Sequence, residues 1–134
     1  MPDKTSLKPA ARRVLTVDDS SVSRRQVRLA LEGVGISVCE AAEGVEALWR
    51  ARQETFDLVI TDIHMPAMDG LQFIRELRKS AGYEQTPVYV VTSDGSRERL
   101  AEGRAAGATA WIVKPADVPL LVHAVLEALN KRGR

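Results

Sequence analysis

The segment 58–70, LVITDIHMPAMDG, constrains the fold more than any other part of the chain. Its first three residues are apolar and mostly β-branched, and so short a run predicts a strand buried on both faces, as in a parallel sheet covered by helices. Asp62 follows at the carboxyl end of this strand, the edge where open α/β sheets place their sites. Pro66 disfavours helix at the residue before it, and Asp69 can cap the next helix. Asp62 is therefore the first candidate for a functional residue.

Length and composition set the class of protein. The 134 residues predict one domain, and 45% hydrophobic with 28% charged residues is ordinary for a globular protein. The formal net charge of +1 gives no reason to expect a nucleic-acid or anionic-membrane partner. Cys39 is the only cysteine, which excludes an internal disulfide and suits a reducing compartment. The first nine residues lack the apolar core of a signal peptide, so we expect a cytoplasmic protein without membrane insertion.

Five β-rich runs alternate with five helical patterns. The strands are predicted at 13–17, 36–41, 58–60, 88–91 and 108–113, and the helices at 21–34, 44–52, 70–79, 97–106 and 118–129. In the second helix we expect Val45 and Leu48 to pack, and Trp49 to pack partly. The fourth helix has Leu100 as its only large apolar residue, so it should be weakly anchored. Short loops and this alternation predict a doubly wound α/β fold, a parallel sheet with helices on both faces.

A polar residue closes each of four predicted strands. Asp18 and Asp19 follow the first strand, Asp62 the third, Thr92 the fourth and Lys114 the fifth. Since parallel strands point their carboxyl ends the same way, these side chains should gather on one edge of the sheet. Each alone has an ordinary explanation as a helix cap, a turn hydroxyl or a solvated charge. Together they predict a functional site.

The chemistry of this site follows from its charges. Three carboxylates at one point repel one another unless a cation lies among them, and a hard ion such as Mg²⁺ prefers oxygen ligands. A bound metal lets a phosphorylated group approach, and a carboxylate can then attack phosphorus to form an aspartyl phosphate. Lys114 would pair with the incoming negative charge, and the Thr92 hydroxyl could bond a phosphoryl oxygen.

At this point the chain resembles a response-regulator receiver domain, close in layout to the single-domain chemotaxis regulator. The matching residues are Asp18-Asp19, Asp62 with the 65–70 turn MPAMDG, Thr92-Ser93 and Lys114-Pro115. The resemblance covers about residues 12 to 130. We therefore expect a receiver domain at 12–131. Residues 1–11, with two prolines and no period, predict a flexible arm, and 132–134 form a basic tail. The resemblance implies a flavodoxin-like sheet with strand order 2-1-3-4-5.

The resemblance also implies a role for each matching residue. Asp62 becomes the phosphoacceptor, Asp18 and Asp19 ligands of Mg²⁺ together with Asp62 and the backbone carbonyl of His64, and Thr92 the switch hydroxyl. Lys114 becomes the phosphate-pairing lysine, preceding proline through a cis peptide. The implied phosphoryl donor is a phosphohistidine on a sensor histidine kinase or a histidine phosphotransfer protein.

Three further positions depart from, or refine, this pattern. Trp111 stands at the family's aromatic switch position, where tyrosine or phenylalanine is more usual. Trp111 is therefore either the switch residue or only a large residue at the edge of the sheet. His64 lies two residues after the acceptor and Asp94 two after Thr92, where side chains can admit or block water. We hypothesise that this pair sets the lifetime of the phosphoryl group, and a passive, solvent-facing His64 is the alternative.

The leading interpretation is a phosphorylation-switched signalling module rather than an enzyme with turnover. With no output domain in the sequence, it would signal through its fourth helix, fifth strand and fifth helix to a target protein, as a monomer or weak dimer. A relay intermediate or a phosphate sink are alternatives. A Mg²⁺-dependent aspartyl phosphatase usually has a second acid two residues after its nucleophile, where this chain has His64. A flavodoxin-like cofactor binder would need a phosphate-cradling loop in place of Asp18-Asp19.

Overall fold

The computed structural model describes residues 12–132, which form five strands and five helices in strict alternation. The strands are β1 (Arg13–Val17), β2 (Ser37–Ala41), β3 (Leu58–Thr61), β4 (Val88–Thr92) and β5 (Ala110–Val113). The helices are α1 (Ser21–Glu32), α2 (Gly44–Gln53), α3 (Gly70–Lys79), α4 (Arg97–Ala106) and α5 (Val118–Arg132).

The strands form one parallel sheet in the order β2-β1-β3-β4-β5, so the predicted topology is confirmed. β1 pairs with β2 on one side and β3 on the other, with Val17 opposite Ala41 and Thr61. The chain reverses its winding direction between β1 and β3. Such a switch point leaves a crevice at the carboxyl ends of the two central strands.

Each face of the sheet carries its own hydrophobic cluster. Successive strand residues point to opposite faces, so Val59 joins one cluster while Leu58 and Ile60 join the other. Helices α2, α3 and α4 cover the first cluster, and α1 and α5 cover the second. The largest fully buried side chains in the two clusters are those of Phe56, Phe73, Leu15, Ile63, Ile74 and Leu77 in the first, and Leu31, Leu58 and Leu129 in the second.

Side-chain caps begin three of the helices. Ser20, Asp69 and Ser96 each accept a hydrogen bond from the backbone N–H three residues later and are the N-caps of α1, α3 and α4, which confirms the prediction made for Asp69. The start of β5 was predicted too early. The Ala108 N–H closes the end of α4 by bonding the Gly103 carbonyl, so the ladder to β4 begins only after it.

The prediction for α2 was wrong at two positions. Leu48 is buried, but the side chains of Val45 and Trp49 are exposed, with Trp49 61% accessible. The buried stripe contains Gly44, Ala47, Leu48 and Ala51, whose small residues let the helix lie close to the sheet. In α1, Val22 is exposed, and Val34, which was predicted inside this helix, is exposed and lies beyond its end.

The ends of the predicted domain lie at the limits of the described residues. The predicted arm, 1–11, lies outside them, as do the last two residues of the predicted tail. The tail's first residue, Arg132, instead ends α5. Within residues 12–132, no helix combines the length and apolar character that crossing a bilayer requires.

Candidate functional site

Three of the predicted site residues, Asp18, Asp62 and Lys114, lie at the carboxyl edge of the sheet, and a backbone hydrogen bond holds each of them there. The Asp18 N–H donates to the Ala41 carbonyl at 3.1 Å, and the Asp62 N–H donates to the Val17 carbonyl at 2.9 Å. The Lys114 N–H donates to the Thr92 carbonyl at 2.8 Å. These bonds extend the strand ladders by one residue, so the rigid sheet sets the positions of the two acids and the lysine.

Lys114 joins the two acids. Its Nζ lies 2.9 Å from Asp18 Oδ2 and 2.9 Å from Asp62 Oδ2, and 3.5 Å from Ser23 Oγ on α1. Burial by itself lowers the pKa of Lys114, but the hydrogen bonds to Asp62 and Asp18 outweigh it, so the pKa is raised above its usual value. The lysine is therefore a cation that two carboxylates hold in place. The Lys114–Pro115 peptide is cis, as the resemblance implied.

The Asp62 carboxylate is oriented by its own backbone turn. Oδ1 accepts the Ile63 N–H at 2.6 Å and the His64 N–H at 3.3 Å, while Oδ2 faces Lys114. Only 8% of Asp62 is accessible. The turn can approach α3 closely because Gly70 has no side chain: a Cβ there would overlap the Asp62 carbonyl oxygen and lie 2.8 Å from Ile63 Cα.

Arg24 positions Asp18, and sequence reasoning did not single it out. Asp18 Oδ1 accepts the Ser20 N–H at 2.9 Å, and the Asp18 carbonyl accepts Nη1 of Arg24 at 2.6 Å. Glu40 on β2 holds the same guanidinium through its Nε at 2.9 Å. An arginine on a helix surface ordinarily suggests a solvated charge, so only the fold could show that it bonds the backbone between the two acids.

The three predicted acids do not form a single cluster. Asp18 and Asp62 are buried and converge on Lys114, whereas the Asp19 side chain is exposed. Across residues 12–132, no three acidic, histidine or cysteine side chains lie close enough together to hold a metal ion. Instead of a third acid, the Lys114 ammonium lies between the two buried carboxylates. Two carboxylates against one lysine leave a net negative charge, and oxygen donors of this kind fit Mg²⁺, which binds one or two carboxylates and keeps several waters.

Thr92 closes β4 with its side chain fully buried. Its Oγ1 accepts the Asp94 N–H at 3.3 Å, which leaves the hydroxyl proton available for another acceptor.

His64 and Asp94 face each other across the two loops that flank the site. His64 Nε2 lies 3.3 Å from Asp94 Oδ2, although His64 itself remains largely exposed. Hydrogen bonds from Ser96 lower the pKa of Asp94, and His64 contributes in the same direction. The structure thus brings the two residues of the predicted pair into contact.

The Trp111 ring is half-buried and packs against the core under α2, α3 and α4. Its Nε1 donates to the Asp94 carbonyl at 3.0 Å. The indole reaches this position because Gly103 on α4 leaves room for it: a Cβ at Gly103 would lie 2.8 Å from Trp111 Cε3. Sequence reasoning missed Gly103, since a glycine inside a helix gives no indication of which side chain fills the space.

The sequence and the fold of this chain are similar to those of known proteins. Residues 14–126 match the family model of the response regulator receiver domain. The chain belongs to this family. The prediction of a two-component signal-transduction domain is therefore confirmed, and receiver domains in general interact with histidine kinases and with downstream targets.

Individual relatives include a motility regulator and chemotaxis proteins. The chain is 39% identical over 108 residues to a gliding motility regulatory protein of Myxococcus xanthus, covering 79% of this chain but only 14% of that protein. It is 36% identical over 104 residues to chemotaxis protein CheY-3 of Vibrio cholerae, covering 77% and 80%. The solved structure of Vibrio cholerae CheY4 superposes with a TM-score of 0.85 at 39% identity, covering 89% of this chain and 99% of that one.

Proposed function

We propose that this receiver domain accepts a phosphoryl group on Asp62 from a phosphohistidine of a sensor histidine kinase or a histidine phosphotransfer protein. The observation that carries the proposal is the lysine shared by two buried acids: Lys114 Nζ lies 2.9 Å from both Asp18 and Asp62. Such a pocket holds an oriented carboxylate beside a cation that can pair with phosphoryl oxygens. We also propose a cytoplasmic location, with which a phosphohistidine donor and the free thiol of Cys39 both agree.

The reaction is a displacement at phosphorus. A carboxylate oxygen of Asp62 forms a bond to phosphorus while the N–P bond of the donor breaks, and the released electron pair stays on the imidazole nitrogen, which takes up a proton. The Ile63 and His64 N–H groups hold Oδ1, so the carboxylate is oriented before the donor arrives. Hydrolysis later transfers the phosphoryl group to water, which releases inorganic phosphate and restores the Asp62 carboxylate.

We propose Mg²⁺ as the cofactor, since receiver domains bind this ion in the active site. Asp18, Asp62 and the backbone carbonyl of His64 would hold it, with Asp19 beside them. When bound, the ion neutralises charge on the phosphoryl oxygens. Lys114 can then pair with a phosphoryl oxygen instead of bridging Asp18 and Asp62.

The signal would leave the site through Thr92 and Trp111. The Thr92 hydroxyl can donate a hydrogen bond to a phosphoryl oxygen. The phosphoryl group also adds about two negative charges, which would shift the loop after β4 towards a second conformation. The receiving surface comprises α4, β5 and α5. It presents the exposed side chains of Val113 and Leu120, and an apolar cavity of about 260 Å³ lies between β5 and α5. This surface fits an apolar side chain of a downstream target protein.

We further propose that the His64–Asp94 pair sets the phosphoryl lifetime by covering the mouth of the site. The two side chains come from different loops and meet at 3.3 Å. Without the imidazole, water would reach phosphorus more easily, so His64→Ala should shorten the half-life of the phosphorylated domain. An unchanged half-life would mean that His64 is a passive surface residue.

Labelling with acetyl phosphate and Mg²⁺ tests the proposal. We expect one phosphoryl group per chain, located on Asp62 by mass spectrometry and absent in Asp62→Asn. Asp117→Asn is the matched control, because Asp117 caps α5, has no described hydrogen bond or ion pair with Asp62, Asp18 or Lys114, and can be replaced by asparagine, which caps equally well. Continuous turnover of acetyl phosphate would instead indicate an aspartyl phosphatase, and labelling of another residue would contradict the assignment. Whether the phosphoryl group then moves to a histidine of a second protein distinguishes a relay from a terminal switch.

A further inference from the structure

Asp94 contacts two different elements through two different groups. Its carboxylate Oδ2 lies 3.3 Å from His64 Nε2, in the loop that follows the acceptor. Its backbone carbonyl accepts Trp111 Nε1 at 3.0 Å, from strand β5. One residue therefore connects the mouth of the site with the side chain that borders the α4–β5 surface.

The residue is held firmly between these two contacts. The Asp94 N–H donates to Thr92 Oγ1 at 3.3 Å, and Asp94 Oδ1 accepts the Ser96 N–H at 3.0 Å. Arg99 on α4 lies 3.8 Å from Oδ2. Because the backbone N–H, the carbonyl and the carboxylate are all engaged, a shift of the carbonyl displaces the carboxylate as well.

The position of the ring depends on Gly103. A Cβ at this residue would overlap the six-membered ring of Trp111, with Cε3 at 2.8 Å, so any larger residue would push the indole out. Gly103 is on α4 and contacts neither Asp62 nor the His64–Asp94 pair among the described bonds. A substitution there can disturb the ring without touching the phosphorylation site directly.

We propose that Asp94 couples the phosphoryl lifetime at Asp62 to the position of the Trp111 ring, with Gly103 as the positioning residue that seats the ring. This inference rests on the function proposed above and deepens it. While the indole N–H holds the Asp94 carbonyl, the Asp94 carboxylate keeps His64 over the site. A partner that binds the α4–β5 surface and moves the Trp111 ring would weaken the His64–Asp94 contact. The phosphoryl group on Asp62 would then have a shorter half-life.

The test compares Gly103→Ala with Gly33→Ala. Gly33 has an ordinary helical φ of −62°, and a Cβ there meets its nearest atoms at 3.4 Å, so this control carries the same chemical change without an overlap. After labelling with radioactive acetyl phosphate and Mg²⁺, we expect the half-life of Gly103→Ala to fall about two- to tenfold, the effect of one lost hydrogen bond. Gly33→Ala should decay as the parent does.

Two further variants separate coupling from general damage. Trp111→Phe keeps a ring but removes the N–H donor, so it should also shorten the half-life. If Gly103 acts through the His64–Asp94 pair, the double variant His64→Ala/Gly103→Ala will decay no faster than His64→Ala alone. In a Trp49→Phe background, where Trp111 is the only indole, Gly103→Ala should shift the fluorescence emission towards that of an exposed ring.

The outcomes distinguish the two proposals. Absence of any labelling in the parent chain overturns the proposed function itself. Normal labelling with a half-life in Gly103→Ala and Trp111→Phe equal to or longer than the parent's overturns only the coupling. Additive acceleration in the double variant does so as well, because the two substitutions would then act through separate routes.

Discussion

The hydroxyl of Tyr83 connects segments that are about thirty residues apart. The ring is buried, and the oxygen lies 2.8 Å from the carbonyls of Ala51 and Glu54 and accepts the Phe56 N–H at 3.2 Å. Burial raises the pKa of Tyr83 above 10.0. One phenolic oxygen thus satisfies main-chain groups where α2 passes into β3, the strand that delivers Asp62 to the site.

Tyr83→Phe should destabilise the fold by about 1–3 kcal/mol, because it leaves buried main-chain groups without a partner. Tyr89→Phe is the matched control: that hydroxyl makes one long bond, 3.3 Å to the Ala124 carbonyl, and its loss should cost less. Urea unfolding followed by circular dichroism measures both. Equal stability of the two variants would contradict the role assigned to Tyr83.

The raised pKa of Tyr83 also predicts a pH dependence. Above about pH 10, tyrosine in the unfolded chain loses its proton while the buried hydroxyl keeps it, so deprotonation favours the unfolded state. The stability contribution is complete below pH 10 and is lost as the pH rises through the folded-state value. Chemical unfolding between pH 9 and 11 should show this loss, and Tyr83→Phe should show a smaller one. Nothing in the sequence around Tyr83 indicated this, since its partners are backbone atoms of another segment.

At the scale of single elements, the sequence predicted where helices and strands lie better than which side they bury. In α2 the large residues Val45 and Trp49 were expected to pack, yet the helix buries a stripe of small residues around Leu48. Hydrophobic size is therefore a poor guide where a helix lies close to a sheet. The turn between β3 and α3 is a second example, because the sequence alone does not show that Gly70 permits a close approach to the Asp62 backbone.

Gly70→Ala should therefore damage both stability and function. Its Cβ would overlap the Asp62 carbonyl oxygen, and the Gly70 N–H bond to the Ile63 carbonyl, 2.8 Å, would be strained. We expect a loss of about 1–3 kcal/mol and slower labelling by acetyl phosphate, because the acceptor carboxylate is displaced. The comparison is Gly33→Ala, which should label at the parent's rate. A Gly70→Ala variant that is fully stable and labels normally would show that the turn has room to relax.

At the scale of the whole molecule, the strongest predictions came from periodicity and direction. Five short apolar runs separated by amphipathic helices leave few topologies, and parallel strands bring their carboxyl ends to one edge. That reasoning placed Asp18, Asp62 and Lys114 together. It could not show that Lys114 bridges the two acids while Asp19 stays exposed, because angles and side-chain directions arise from packing across the sheet.

The same sheet separates two hydrophobic clusters, and this predicts how the molecule unfolds. Leu77 on α3 is completely buried in one cluster, and Leu31 on α1 is completely buried in the other. The central strands contribute side chains to both, so we expect the two clusters to unfold together. Leu77→Ala and Leu31→Ala should each cost about 2–5 kcal/mol. Both should also retain a single urea transition with the parent's slope, whether observed by circular dichroism or by tryptophan fluorescence. Two separate transitions in either variant would show that the two faces unfold independently. The site takes Asp18 from the end of β1, Thr92 from the end of β4 and Lys114 from the end of β5, so its geometry would then be lost before the whole fold is lost.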